Sequence, residues 1–207
     1  MNRIIRLLII SDVFLLTGFG LVQPILAIFV AEHVRGGSII AAGIATTIFL
    51  LCKSIVQLPF SRYVDSHRNT IRYLHLGNIL FSIAPILYLI DGSIGMIYIA
   101  QVIYGVGAGL AFPTWMHIWY AHLDDHHEGF DASAYSTATS IGAAAAAAIG
   151  AVIAQLFGFQ ATFVAVSVLS LIGSVLLFPL AKEETEIQHA ASSTRKKRRG
   201  VHAKSRL

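Results

Sequence analysis

Charged residues are scarce in this sequence. Asp, Glu, Lys and Arg make up 13% of its 207 residues, whereas hydrophobic residues make up 56%. A typical soluble domain carries about 25% charged residues, so the composition excludes an ordinary soluble globular protein. Because a helix crosses a hydrocarbon core with roughly 20 apolar residues, the composition favours a helical membrane protein.

Cysteine and catalytic motifs are equally sparse. Cys52 is the single cysteine, which excludes an internal disulfide. The sequence contains no G-x-S-x-G elbow, H-E-x-x-H pattern or P-loop, so nothing in it supports an enzyme. His122 and His126 have a spacing that could bind a metal, but the accompanying residues of strong zinc motifs are missing. We therefore predict a solvated loop there, with no catalytic residue, no metal and no cofactor.

Six apolar stretches are each long enough to span a bilayer. They are continuous rather than alternating, which argues against barrel strands. The first is too long for a signal-peptide core and shows no A-x-A cleavage site, so we expect it to be retained. The sequence thus predicts an all-α transmembrane domain over residues 1–181 and a disordered basic tail over 182–207. The stretches lie near Arg6–Val30, Ile39–Ser61, Ile71–Ile90, Ile94–Tyr120, Ala132–Leu156 and Gln160–Ala181.

Positive charge is concentrated on one side of the predicted helices. The residues before the first stretch, the second connection and the tail hold 13 of the 15 Lys and Arg residues, whereas the opposite side holds Arg35 alone. By the positive-inside rule, both termini are predicted to be cytoplasmic, in the cell (inner) membrane. The basic cluster Arg195–Arg199 either binds anionic lipid headgroups or only fixes orientation. Because this excess flanks a membrane, it does not indicate a nucleic-acid partner.

A short pattern occurs twice along the chain. Residues 18–24 and 107–113 both read G-x-G-L-x-x-P, in the first and fourth stretches. These stretches would run in opposite directions, as an inverted repeat of three helices plus three requires, and secondary transporters often have such repeats. The alternative is that Gly and Pro are simply frequent in membrane helices.

Polar side chains at membrane depth mark the candidate functional residues. Ionisable groups are costly there and by default indicate function. Four residues are predicted to face a common interior and line a cavity: Asp12, Gln23, Lys53 and Gln101. Asp12 and Lys53 lie at depths that would allow an ion pair, although a hydrated Asp12 and a snorkelling Lys53 are the simpler alternatives. For the aromatic residues near the inner end of the fourth stretch, an interfacial belt is favoured over a substrate box: Trp115, Trp119 and Tyr120.

Small residues repeat every four positions along the fifth stretch. The series is Ala134, Ala138, Gly142, Ala146, Gly150 and Ala154. Small residues let helix backbones approach closely, which is a main source of association in lipid. We therefore predict packing contacts at Gly142 and Gly150, and at Gly105 and Gly109 of the fourth stretch. A helix this bare could also join two copies of the chain through its second and fifth helices.

Three segments resemble motifs of the major facilitator superfamily. The connection Ser61–Asn69 is similar to the loop G-x-x-x-D-R-x-G-R-K, with Asp65 on the motif's Asp and Ser61 and Arg68 in place of its glycines. Gln101–Gly109 is similar to R-x-x-Q-G-x-G-A-A, with Gln101 in place of Arg. Phe157–Phe163 resembles the family's tight turn between helices 5 and 6. In order and spacing the chain resembles one six-helix half of such a transporter.

This resemblance implies a function and a set of partners. Helices 1 and 4 would line the solute cavity, helices 2 and 5 would face the other half, and Asp65 and Arg68 would belong to the loop that governs conformational change. The chain would be a half-size secondary transporter of a small solute, acting as a homodimer or with a second six-helix half. The alternative is a non-transporting scaffold or partner-binding subunit that keeps the fold. The altered loop favours the scaffold, whereas Asp12 and Lys53 favour transport.

Overall fold

The computed structural model describes residues 3–67, 70–123 and 128–177, without the side chains of 18–20 and 22–24. This part of the chain is helical: α1 is Arg3–His33, α2 is Ile39–Ser66, α3 is Ile71–Leu87 and α4 is Ile94–His122. A last helical range, Glu128–Leu176, is interrupted at Gly158, whose φ of 83° and ψ of 166° are not helical. We name its two parts α5 (128–157) and α6 (159–176). The all-α class predicted from the sequence is confirmed.

The break at Gly158 depends on glycine. A positive φ places a Cβ too close to the following carbonyl, so L-residues rarely adopt it. The chain can therefore leave α5 and enter α6 within a single residue.

Helix length and hydropathy fit a membrane. Three of the described ranges are long and apolar enough to cross one: Ile39–Ser66, Ile94–His122 and Glu128–Leu176, with mean hydropathies of 2.1, 1.7 and 1.9. Ile71–Leu87 is a shorter apolar helix. The predicted tail, residues 182–207, and the predicted end of the sixth stretch lie outside the described residues.

Two central helices organise the packing. The first, α1, packs on the range Glu128–Leu176, and α4 packs on both α2 and α3. Buried apolar side chains form two clusters, one at each end of the bundle. The first includes Phe29, Val30, Tyr88, Ile97 and Phe163. The second includes Ile5, Leu8, Leu74, Trp115 and Ile118. The inverted repeat stays a prediction.

Glycines mark the closest helix contacts. A Cβ at Gly105 would lie 2.7 Å from the Phe49 carbonyl oxygen, and one at Gly109 would lie 2.7 Å from the Val56 Cβ, so both face α2. A Cβ at Gly77 would lie 2.6 Å from the carbonyl oxygen of Gly107, which brings α3 onto α4. These distances leave no room for any side chain larger than hydrogen.

The series of small residues on α5 faces α1. A Cβ at Gly142 would lie 2.9 Å from Thr17 Oγ1, and one at Gly150 would lie 2.8 Å from the Leu21 carbonyl oxygen. Ala146, between them, is 1% exposed. We predicted that these residues could form a contact between two copies of the chain. That prediction is wrong for these residues, because α1 of the same bundle already covers them.

The connections α1–α2 and α3–α4 are joined at one end of the bundle. The Arg35 N–H donates to the Gly92 carbonyl at 2.8 Å, and the Ile94 N–H donates to the Arg35 carbonyl at 3.1 Å. The Arg35 guanidinium also lies 2.7 Å from Asp91 Oδ1. These contacts neutralise Arg35 and tie the ends of four helices together.

Internal prolines interrupt the hydrogen bonding of α2, α3 and α4. Pro59, Pro85 and Pro113 lie inside α2, α3 and α4. Proline has no N–H, so each removes one helical hydrogen bond and makes its helix easier to bend at that level.

Candidate functional site

Five helices line an open cavity of about 290 Å³. It is lined by Asp12, Leu15 and Leu16 of α1, Phe49 and Lys53 of α2, Leu74, Asn78 and Phe81 of α3, Ala108, Ala111, Phe112 and Trp115 of α4, and Tyr135 of α5. Most of the wall is aliphatic or aromatic, with a few polar groups among it. Ligand sites commonly combine an apolar lining with a small number of polar groups in this way.

Asp12 is held in place by an aromatic group. The Tyr135 hydroxyl donates to Asp12 Oδ2 at 2.6 Å. The Tyr135 ring packs against Trp115 and Trp119, at centroid distances of 4.9 and 5.3 Å. The two indoles stack on each other at 5.0 Å. This packing fixes the hydroxyl that orients the carboxylate.

Lys53 lies on another wall of the same cavity. Its Nζ is 5.1 Å from the centroid of the Phe112 ring, within the range of a cation–π interaction. Among the described residues, Asp12 and Lys53 form no ion pair within 4.0 Å. The predicted direct pair is therefore wrong, although both residues line one cavity. The two charges instead leave the space between them open.

Two residues of the cavity lining carry a buried donor atom without a partner. Asn78 is 2% exposed and Trp115 is 8% exposed. Neither Asn78 Nδ2 nor Trp115 Nε1 has a hydrogen-bond partner among the described residues. A buried donor left unsatisfied costs about 1–3 kcal/mol, so a solute acceptor that reached either group would offset that cost. The burial of Trp115 and of Trp119 also shows that neither belongs to a lipid-facing belt.

The other predicted cavity residues lie elsewhere. Gln101 is 3% exposed and donates from Nε2 to the Tyr88 hydroxyl at 3.2 Å, away from the lining. The side chain of Gln23 lies outside the described part. His122 Nδ1 contacts the Ile118 carbonyl at 2.9 Å, and His126 is likewise outside. The residues that the structure describes contain no group of three or more His, Cys, Asp or Glu that could hold a metal.

A groove of about 750 Å³ lies beside the cavity, between α2 and α4. Phe112 borders both spaces. At the groove's edge, Asp65 Oδ1 lies 3.7 Å from His117 Nδ1, and the Asp65 side chain is 78% exposed. Arg68, the other predicted loop residue, falls outside the described residues. The groove is lined by Ser54, Gln57, Leu58, Ser61, Asp65, Phe112, Pro113, Met116, His117, Tyr120 and Ala121.

The sequence profile of the Major Facilitator Superfamily matches residues 8–206. The chain belongs to this superfamily. Membership makes it a membrane-embedded protein of the transporter type. The six helices of the described residues, in a chain of 207, fit one half of a major facilitator fold. No curated protein matches the chain.

Proposed function

We propose that this major facilitator chain acts as one six-helix half of a secondary transporter that moves a small solute through the cavity around Asp12 and Lys53. The polar and charged side chains of the cavity support the proposal best. Two charged side chains and two unpartnered buried donors are costly at membrane depth. A scaffold would gain little from them, whereas a solute with matching groups offsets the cost each time it binds.

The surface of α2 supports a second half packing beside the first. In an apolar stretch of 18 residues, 17% of α2 is buried inside the bundle, compared with 50% for α4. Its outward residues include Leu51, Ile55 and Leu58, which are 57%, 70% and 70% exposed. The exposed face of α5 combines the polar residues Thr137 and Ser140 with large apolar ones such as Ile141 and Leu156, which are 66% and 69% exposed.

We propose that a second six-helix half, either another copy or a separate bundle, covers these faces of α2 and α5. For two copies, closed two-fold symmetry with its axis along the membrane normal satisfies both surfaces and keeps one charge orientation.

Uptake by membrane vesicles tests the proposal with whatever supplies the second half still present. Vesicles from source cells that contain the chain are expected to accumulate at least one labelled solute from a panel of amino acids, sugars, amines and carboxylates. Vesicles from cells lacking the chain should not. Lys53→Met should reduce this uptake at least about tenfold, because a loss of about 1.4 kcal/mol in binding lowers affinity tenfold.

The matched control is Arg3→Met, which removes an exposed charge at the start of α1. It should leave uptake within about twofold of the unmodified chain, since it lines neither space. Equal uptake with and without the chain for every solute in the panel would favour the scaffold alternative.

We also propose that both termini lie on the cytoplasmic side of the inner membrane, because of the distribution of Lys and Arg. In a Cys52→Ala background, a membrane-impermeant maleimide added outside intact cells is expected to label Glu32→Cys and Gly95→Cys. It should not label Ser66→Cys until the cells are opened. Glu32, Gly95 and Ser66 are all exposed.

Two nearby glycines are unsuitable as labelling positions. A Cβ at Gly37 would lie 1.8 Å from the Val30 carbonyl oxygen, and Gly92 has a φ of 59°. Labelling at Ser66 in intact cells would reverse the proposed orientation.

A further inference from the structure

We infer that the cavity takes a small zwitterion, a solute that carries both an ammonium and a carboxylate group on a compact apolar body. The inference rests on the proposed transport function and specifies the chemical class of its solute. It follows from the separate placement of opposite charges and unsatisfied donors on the cavity wall.

One side of the site is built to accept a carboxylate. Lys53, Asn78 and Trp115 all line the cavity. The amide and indole donors are buried and have no partner among the described residues. A carboxylate is an acceptor-only group with about four lone-pair sites, so one carboxylate can satisfy several of these donors together. Hydrogen bonds from a cation to a carboxylate are also stronger than neutral ones.

Asp12 supplies the complementary side. Its Oδ2 accepts from Tyr135 at 2.6 Å, and a carboxylate has capacity for further donors beyond that one. An ammonium group is a compact positive charge with three donors, which matches the acceptor capacity that Asp12 has left. Asp12 is therefore positioned to bind the amine end of a solute.

The absence of a direct ion pair decides between solute classes. Asp12 and Lys53 line one cavity without contact within 4.0 Å. A solute with only a carboxylate would leave Asp12 uncompensated in a low-dielectric site, and one with only an amine would do the same to Lys53. A zwitterion compensates both charges, so the site selects for it and against either singly charged analogue.

The cavity volume and lining define the rest of the solute. A volume of about 290 Å³ is the space of about ten water molecules at roughly 30 Å³ each. Phe49, Phe81, Leu16 and Leu74 supply an apolar wall for the body of the solute. A body of this size with both charged groups has the dimensions of an amino acid.

A set of matched ligands tests the inference on the full-length protein in lipid nanodiscs. The probes are the twenty standard amino acids and, for each that binds, its decarboxylated amine and its deaminated acid. For L-phenylalanine these are 2-phenylethylamine and 3-phenylpropanoate. Affinity is read from the ligand-dependent shift in melting temperature. At least one amino acid is expected to bind, and to bind at least tenfold more tightly than its amine and its acid.

Two substitutions separate recognition from folding. Asp12→Asn should weaken binding of the amino acid at least tenfold while leaving its acid within about threefold. Asn78→Leu should weaken the amino acid and its acid but not its amine. This change in relative affinity is not produced by a general loss of stability. Arg3→Gln, at an exposed position outside the cavity, should change none of these ratios.

Several results would overturn the inference. They are binding of the amine or acid as tightly as the parent amino acid, unchanged ratios in both variants, or stabilisation only by solutes of another class such as sugars. Each of these would leave the transport proposal standing if vesicle uptake of that other solute depends on the chain. Failure of uptake for every solute would remove both.

Discussion

Leucine at Gly105 is expected to break the packing of α4 on α2. A Cβ there would lie 2.7 Å from the Phe49 carbonyl oxygen, 2.8 Å from the Cys52 Cβ and 3.1 Å from the Lys53 backbone nitrogen. Two of these atoms belong to the backbone and cannot turn aside as a side chain would, so α2 itself must move. Overpacking of this kind costs about 1–3 kcal/mol and sometimes more. We expect the upper end or beyond.

The measurement is thermal unfolding of the purified protein in detergent, with the yield of folded protein as a second readout. Gly43→Leu is the matched control, because Gly43 lies within α2 and a Cβ there meets nothing within 4 Å. The control should match or exceed the unmodified melting temperature, since leucine favours helix over glycine by roughly 0.5–1 kcal/mol. Equal melting temperatures for the two variants would show that the close approach at Gly105 is not required.

Asparagine at Asp65 is expected to stop transport without affecting the fold. The Asp65 side chain is 78% exposed, and its contact with His117 is long at 3.7 Å. Exposed pairs contribute about 0–1 kcal/mol, so the melting temperature should hardly change. The resemblance to the family's loop motif implies that this carboxylate stabilises one conformation of the transporter. Loss of about 1.4 kcal/mol from one conformation shifts the equilibrium between conformations tenfold.

The expected result is at least a tenfold fall in vesicle uptake with solute affinity unchanged in the nanodisc assay. Glu32→Gln, an exposed acid on α1, serves as the control and should transport normally. If Asp65→Asn transports as well as the unmodified chain, the role implied by its position in the loop motif is wrong for this protein.

Much of the fold could be predicted because apolar runs report directly on spanning helices. The runs ending near Ser61 and beginning near Ala132 were placed correctly as helices, although α2 continues to Ser66 and the helix of Ala132 begins at Glu128. Hydropathy does not locate these ends, because polar residues at the membrane surface extend a helix without lengthening its apolar part. The turn at Gly158 could be predicted, because Phe157–Phe163 resembles the family's tight turn between helices 5 and 6.

The cavity could be predicted only in part. Asp12 and Lys53 stand out because charge is rare in apolar runs. Tyr135 does not stand out, since its bond to Asp12 joins residues 123 positions apart. Asn78 is a polar amide within an apolar stretch, which is a usable signal. It is not ionisable, however, so charge alone does not single it out. Depth along a helix axis could not exclude the Asp12–Lys53 pair, because rotation and crossing angles decide where side chains point.

The small residues of α5 illustrate the same limit. Their spacing shows which face of the helix permits close approach. It does not show which neighbour takes that face, and here α1 covers Gly142 and Gly150.

The prolines of α2 and α4 provide positions at which the two helices that line the groove can bend. Pro59 and Pro113 both lie about 10–15 Å from the C-terminal ends of their helices, at 1.5 Å per residue. A bend at Pro113 would displace residues 114–122 and widen the groove. Trp115 is on the moving arm, whereas Lys53 and Asn78 are not. In a transporter that binds the inferred zwitterion, one such movement would widen the groove and also shift Trp115 relative to Lys53 and Asn78, which would weaken the hold on the carboxylate.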